Sequence, residues 1–236
     1  METIRENTEN YMHELKAWLN ETENAPLEEM DAFFAQRVGT YEEHMLSHWS
    51  EDYVRLAASL PSDTERILDL GCGTGLELDE IYRFFPDMQV VGVDLSEAML
   101  QKLREKHSGR ALKLICGSYF TEPFPGPFDA AVSFESLHHF TAAEKLPLYK
   151  KICDALAPGG VFLNCDYIAC CDEEETLLRE TCDRRRRRDH IPDAAFIHFD
   201  TPLTAEHEMQ VLRDAGFADV SVDPSPDATL IIAKKR

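Results

Sequence analysis

An apolar run that passes straight into glycines at every second position, ILDLGCGTG (67–75), leaves few folds open to this chain. Glycine permits a tight turn and lets backbone approach a ligand closely. Gly71, Gly73 and Gly75 open into LELDEIYRFF, a helix whose first N–H groups have no partner of their own and suit an anionic or polar group. A second apolar run, QVVGVDL, ends at Asp94, nineteen residues after Gly75. An acid at that place can accept both hydroxyls of a ribose. Strand, glycine turn, helix and spaced acid together predict a nucleoside-containing ligand across the carboxyl ends of the first two strands. The rival is a dinucleotide site, but its G-x-G-x-x-G pattern fails here: the sixth position is Leu76 and the third glycine falls one place early.

The rest of the chain repeats this strand–helix rhythm. RILDL, QVVGVDL, LKLICGS, FDAAVSF and GGVFLNCDY are continuous rather than alternating apolar runs, as expected of strands buried on both faces of a parallel sheet. Ser96 is placed to N-cap EAMLQKLREKH, and Thr141 with Glu144 forms a capping box. Gly159-Gly160 is expected to close the helix ending near Leu156, and TEPFPGPF (121–128) reads as a loop. A helix from Thr204 to Ala215 with Gly216 beyond it, then DVSVD and ATLIIAKK as strands, completes the pattern. The fold class expected is α/β: a doubly wound, Rossmann-like, mostly parallel seven-stranded sheet with helices on both faces.

Two stretches stand outside it. Residues 1–60 contain no convincing strand and form a helical N-terminal cap in this reading, with 61–236 as the ligand-binding α/β domain. Tyr11, Leu15, Trp18 and Leu19 share one helix face; Phe33, Phe34, Arg37, Val38 and Tyr41 suggest a second helix, and a third runs from about Ser47 to Leu60. The charged stretch 168–203 reads as an inserted helix plus loop, which with the cap could cover the ligand edge of the sheet.

Length and charge narrow the function. The 236 residues fit one elaborated domain or two small ones. Twenty-four basic against 44 acidic side chains give a formal charge of −20, which opposes nucleic-acid binding through phosphates and docking on an anionic membrane. No apolar run approaches a bilayer span, the N-terminus has no secretory pattern, and seven scattered cysteines read as reduced thiols, so a cytoplasmic location is expected. Cys165, Cys170, Cys171 and Cys182 lack the paired spacing of a zinc site, and no metal is expected.

The sequence resembles the class I S-adenosylmethionine-dependent methyltransferases over roughly residues 37–236. ILDLGCGTG is similar to their first motif, GVDLSEAML to the acidic second-strand motif, LAPGGVFLNCDY (156–167) to the fifth-strand motif, and FDAAVSFESLHHF (128–140) to the fourth-strand segment facing the methyl donor. Small-molecule members with a helical N-terminal cap are the nearest in pattern. The resemblance implies a methyltransferase that binds S-adenosyl-L-methionine and releases S-adenosyl-L-homocysteine. It places Asp69 and the backbone of Gly71, Cys72, Gly73 and Gly75 at the methionine end, Asp94 at the ribose, Leu95 and Met99 on the adenine, and the Phe134 backbone at the methionine amino group. The third strand departs from the family's Gly-Asp ending: here it is Gly117-Ser118, with Ser118 as the remaining hydrogen-bond acceptor and Tyr119 or Phe120 for stacking. Tyr41 either closes over the cofactor, as cap tyrosines of the family do, or is a half-buried helical aromatic.

Methyl transfer from a sulfonium mainly requires positioning and exclusion of water, with a base only for an acceptor that is protonated at neutral pH. His138 and His139, just past the fourth strand, and His198 with Asp200 are candidates for that base or for substrate contacts; turn-shaping histidines and a loop-capping Asp200 are the plainer alternative. The arginine run 184–188 wraps round its helix, leaving either a solvated face or one or two arginines for an anionic substrate. The expected reaction is methylation of an O, N or S atom of a small-molecule acceptor. A protein or RNA-borne acceptor, a non-catalytic cofactor-binding module and a modified donor are the alternatives, and a monomer and a homodimer are equally open.

Overall fold

The computed structural model describes residues 7–192, 195–225 and 228–236. The first six residues of the expected cap and residues 193–194 of the expected insertion lie outside them. Three helices come first: α1 (Thr8–Glu21), α2 (Met30–Arg37) and α3 (Tyr41–Ala58). The alternating part follows as β1 (Arg66–Leu70), α4 (Leu76–Phe84), β2 (Gln89–Asp94), α5 (Glu97–Lys106), β3 (Leu112–Cys116), β4 (Phe128–Phe134), α6 (Ala142–Ala155) and β5 (Leu156–Asp166). Then come α7 (Asp172–Arg188), α8 (Ala205–Asp214), β6 (Asp219–Asp223) and β7 (Thr229–Lys234).

The seven strands form one sheet in the order β3-β2-β1-β4-β5-β7-β6. All neighbours are parallel except β7, which is antiparallel to both β5 and β6. The order reverses between β1 and β4, so the crevice where a doubly wound sheet takes its ligand lies at their carboxyl ends. Side chains alternate across the sheet. Ile67, Val90, Val132 and Leu163 pack against α3, α4 and α5 through Tyr53, Ile81 and Leu103. Leu68, Val91, Ala131 and Phe162 pack on the opposite face with Leu148 and Ile152 of α6 and Leu212 of α8. A third, small core joins Leu19 of α1, Leu178 and Cys182 of α7, and Ile197 and Phe199.

Local signals hold where they are chemically explicit. The Ser96 hydroxyl accepts from the Met99 N–H, and the Glu144 carboxylate accepts from the Thr141 N–H and hydroxyl. Gly216 takes the left-handed conformation just past α8 (φ 109°). Elsewhere the structure corrects the expectation. Tyr41 begins α3 rather than ending α2, six residues before the expected start at Ser47, and non-helical dihedrals at Trp49 kink the helix. Before that kink only Met45 is buried, so no apolar period marks the first turns. β5 starts at Leu156, directly after α6, so Gly159-Gly160 lies inside a strand irregularity rather than closing a helix. Trp18 is 52% exposed, and Cys116 is exposed.

The arginine run is a clamp. Arg184 grips the Glu23 carboxylate through Nε and Nη2 at 3.1 and 2.8 Å, and Arg185 reaches the Leu19 carbonyl at 3.2 Å and the Thr22 hydroxyl at 3.1 Å. Arg188 donates to the Glu23 and Ala25 carbonyls, and Arg186 to those of Pro192 and Ala195. These guanidinium groups satisfy the carbonyl-rich end of α1 and the loop after α7. Three of the five arginines thereby fasten the first helix to α7, and Arg186 holds the loop after α7.

Candidate active site

The glycine turn is built by hydrogen bonds to the next strand. Gly71 N–H donates to the Val93 carbonyl at 2.8 Å, and Gly75 N–H to the Cys72 carbonyl at 2.8 Å. Gly71, Gly73 and Gly75 all have left-handed φ values of 71°, 46° and 73°. A Cβ on Gly71 would stand 2.1 Å from Ser136 Oγ, and one on Gly75 2.3 Å from Leu103 Cδ1. Gly71 therefore admits the segment after β4, whereas Gly75 admits α5. The Cys72 side chain is buried toward Gly92, so only its backbone belongs to the turn.

Asp94 closes the turn from below. Its two oxygens accept from Gly73 N–H at 2.9 Å and Ser96 N–H at 2.8 Å. Burial raises its pKa, and these two N–H groups resist the rise. Gly71, Gly73, Asp94, Leu95, Met99, Tyr119 and Phe134 line one cleft with Tyr41, which comes from the opposite side. Ser118 does not line it: its Oγ accepts from the Phe120 N–H at 3.3 Å.

Asp69 lies behind the turn, fully buried, with neither carboxylate oxygen hydrogen-bonded, beside Glu77, whose Oε1 is likewise without a partner. Burial and the charge of Glu77 push Asp69 well above the usual carboxylate range, and burial pushes Glu77 up to about 7. Two such neighbours retain a proton near neutrality. Asp69 does not line the cleft, so the structure sets it behind the turn rather than at the methionine end that the resemblance implied. Because the folded-state pKa of Glu77 lies above its ordinary 4.5, ionising it costs stability increasingly from pH 4.5 up to about 7 and fully above that. Glu77→Gln is thus expected to raise the melting temperature at pH 8 and not at pH 4.5. The corresponding free energy is about 3 kcal/mol at most; an equal effect at both pH values would show that Glu77 is not the strained member.

The acceptor side gathers groups that the sequence holds far apart. Glu135, the first residue after β4, has φ 45°, a left-handed conformation rare outside glycine, and its Oε1 is buried without a partner. His138 Nδ1 lies 2.6 Å from Asp166 at the end of β5, and Asp166 also accepts the Leu137 N–H. His138 Nε2 is 3.4 Å and His139 Nδ1 3.2 Å from the same Asp200 oxygen. His139 Nδ1 also sits 3.3 Å from the Phe199 carbonyl. The Thr201 N–H donates to the His138 carbonyl at 2.8 Å, which ties the two segments together. Against the pull of burial, Asp166 and Asp200 hold His138 protonated, whereas burial and the charge on His138 keep His139 neutral. His198 stacks on Phe33 at 3.5 Å, and burial with the two other histidines lowers it to about 4.

Above these groups is a cavity of about 1130 Å³ walled by Leu15 and Trp18 of α1, Phe33 and Arg37 of α2, and Met45 of α3. Phe34, Tyr41, Glu135 and His139 line both this cavity and the cleft at the glycine turn. Sequence reading missed Glu135, Asp166 and Glu77. Two of them stand at the carboxyl ends of adjacent strands, which is the positional signal that could have found Glu135 and Asp166.

Comparison with known proteins finds methyltransferases. A family described as "Methyltransferase domain" matches residues 67–160. A carboxy-S-adenosyl-L-methionine synthase from Nautilia profundicola is 25% identical over 174 residues, 68% of this chain and 73% of that protein. A fatty-acid O-methyltransferase from Mycolicibacterium smegmatis is 30% identical over 115 residues, 48% of this chain and 41% of that protein. Among solved structures, an O-methyltransferase family protein from Burkholderia thailandensis superposes with a TM-score of 0.64 at 20% identity, over 88% of this chain and 63% of the other. NcsB1, an O-methyltransferase from neocarzinostatin biosynthesis solved with S-adenosylmethionine and 2-hydroxy-5-methyl naphthoic acid, gives 0.65 at 17% identity over 86% and 58%. This chain spans less than two thirds of those two longer chains. Among the described residues, no helix is long and apolar enough to cross a membrane.

Proposed function

We propose that this chain, a class I S-adenosylmethionine-dependent methyltransferase, methylates a hydroxyl oxygen of a small, largely apolar acceptor held beneath the N-terminal helices. The observation that carries this reading is the wall shared by the two cavities: Phe34, Tyr41, Glu135 and His139 face the cleft at the glycine turn on one side and the 1130 Å³ cavity on the other.

S-adenosylmethionine supplies an electrophilic methyl on a sulfonium cation. In this reading Asp94 accepts the ribose hydroxyls, Leu95 and Met99 pack on the adenine, Tyr119 walls the cleft, and the Gly71–Gly73 backbone with Phe134 surrounds the methionine end. Aromatic side chains of α1 and α2 bury the acceptor and keep out water, which strengthens every polar contact inside. The acceptor oxygen meets Glu135, His138, His139 and Asp200, which orient it, and the neutral His139 takes up its proton. A roofed cavity of this size favours a small molecule over a protein or RNA-borne group.

The test is calorimetric titration with S-adenosylmethionine, S-adenosylhomocysteine and NAD, followed by a methyl-transfer assay on hydroxylated aromatic and aliphatic acids. Binding of both sulfur nucleosides with turnover of a hydroxylated acceptor is the expected result. Binding without turnover of any acceptor would favour a sensing module, and binding of NAD alone would refute the cofactor assignment.

A further inference from the structure

We propose that His138 Nε2, His139 Nδ1 and an Asp200 oxygen form a site for a divalent transition-metal ion at the floor of the acceptor cavity. The proposal rests on the reading that this cavity holds the acceptor.

The three donor atoms lie within 4.8 Å of one another. Donors about 2.1 Å from a common ion stand about 3.0 Å apart at right angles and about 3.4 Å apart at the tetrahedral angle. Asp200 lies 3.4 Å from His138 Nε2 and 3.2 Å from His139 Nδ1. A charge-assisted hydrogen bond would be shorter, about 2.7–2.9 Å, and the Asp166–His138 contact at 2.6 Å shows how tight an ion pair in this site can be. The Asp200 contacts are spaced for ligation.

The surroundings complete a metal site. Asp166 engages Nδ1 of His138, which fixes the ring and turns Nε2 toward Asp200, the carboxylate–histidine–metal arrangement; the ion takes the place of the Nε2 proton, which leaves to solvent. Asp166 is itself held by the Leu137 and Tyr167 N–H groups at 3.0 Å each. Glu135, in its left-handed backbone conformation, adds a carboxylate whose Oε1 is buried without a partner. Two imidazoles and one carboxylate suit zinc or iron(II) better than magnesium or calcium, which prefer oxygen-only ligands. The remaining positions of the ion face the cavity, so the acceptor class is a hydroxyl with a second oxygen on the adjacent carbon, able to chelate. Chelation favours the oxyanion: the hydroxyl proton leaves to solvent, and the oxygen becomes the nucleophile toward the methyl carbon as the carbon–sulfur pair withdraws to sulfur.

The experiment uses untagged full-length protein stripped with a chelator and titrated with cobalt(II), followed by visible absorption and by competition with zinc(II). One ion per chain with ligand-field bands is expected. Asp200→Asn and His139→Gln should each abolish the bands, and Asp166→Asn should weaken binding about 10- to 100-fold. Cys170→Ser/Cys171→Ser should leave the bands unchanged; if it removes them, the vicinal thiols hold the metal and the proposal falls. Absence of saturable cobalt binding also overturns it. S-adenosylhomocysteine affinity measured on the same samples separates the two readings. If the nucleoside binds and cobalt does not, only the metal site is lost; if neither binds, the proposed function is lost too. Addition of catechol should move the cobalt bands, and bands that do not move would remove the chelating acceptor class.

Discussion

Asp94→Ala is expected to weaken binding of both S-adenosylmethionine and S-adenosylhomocysteine by at least about 100-fold. The estimate follows from two lost hydrogen bonds to a charged acceptor, at about 1.5–3 kcal/mol each. The substitution has a second consequence, because the carboxylate also receives the Gly73 and Ser96 N–H groups. Without it the glycine turn loses its tie to the start of α5. Asp94→Asn retains an acceptor oxygen and should fall between the wild type and Ala. Titration calorimetry gives the affinities, and a melting curve of each variant separates a lost ligand contact from a collapsed turn. Affinity within about threefold of wild type in a folded Asp94→Ala variant would remove Asp94 from the ribose site.

The largest stability effect is expected far from the cleft. Lys145 on α6, 1% exposed, donates to Glu208 on α8 at 2.7 Å, and the Tyr149 hydroxyl donates to the same carboxylate. Breaking a buried ion pair by removing one partner strands the other charge, so Lys145→Ala should cost roughly 3–5 kcal/mol. Replacing both charges, as in Lys145→Met/Glu208→Leu, should recover most of that loss because no charge remains in the core. Urea unfolding at neutral pH measures both. A single variant destabilised by less than about 1 kcal/mol would mean that water reaches Glu208 once the lysine is gone.

Much of this molecule is legible in order along the chain. The seven strands, the left-handed turn at Gly71, Gly73 and Gly75, and the acid at the end of β2 are local features, each set by a few neighbouring residues. The caps at Ser96 and Thr141 are equally local. The errors are also local in origin. The first turns of α3 bury only Met45 and so carry no apolar period, and the glycine pair in β5 is as apt for a strand irregularity as for a helix end.

The acceptor side is a different case. Five arginines in a row resemble an anion site or a solvated face, and only the approach of α1 shows three of them gripping Glu23 and the carbonyls near it. His138 and His139 stand out in the sequence, yet their partners Asp166 and Asp200 are 28 and 61 or 62 residues away. Spacing along the chain specifies the strands and turns, whose hydrogen bonding and burial repeat over short distances. Which charged groups meet depends on long-range packing, because the sheet order β3-β2-β1-β4-β5 brings the ends of β4 and β5 side by side and the segment after α7 folds back across them. The chemistry of the site comes from that convergence.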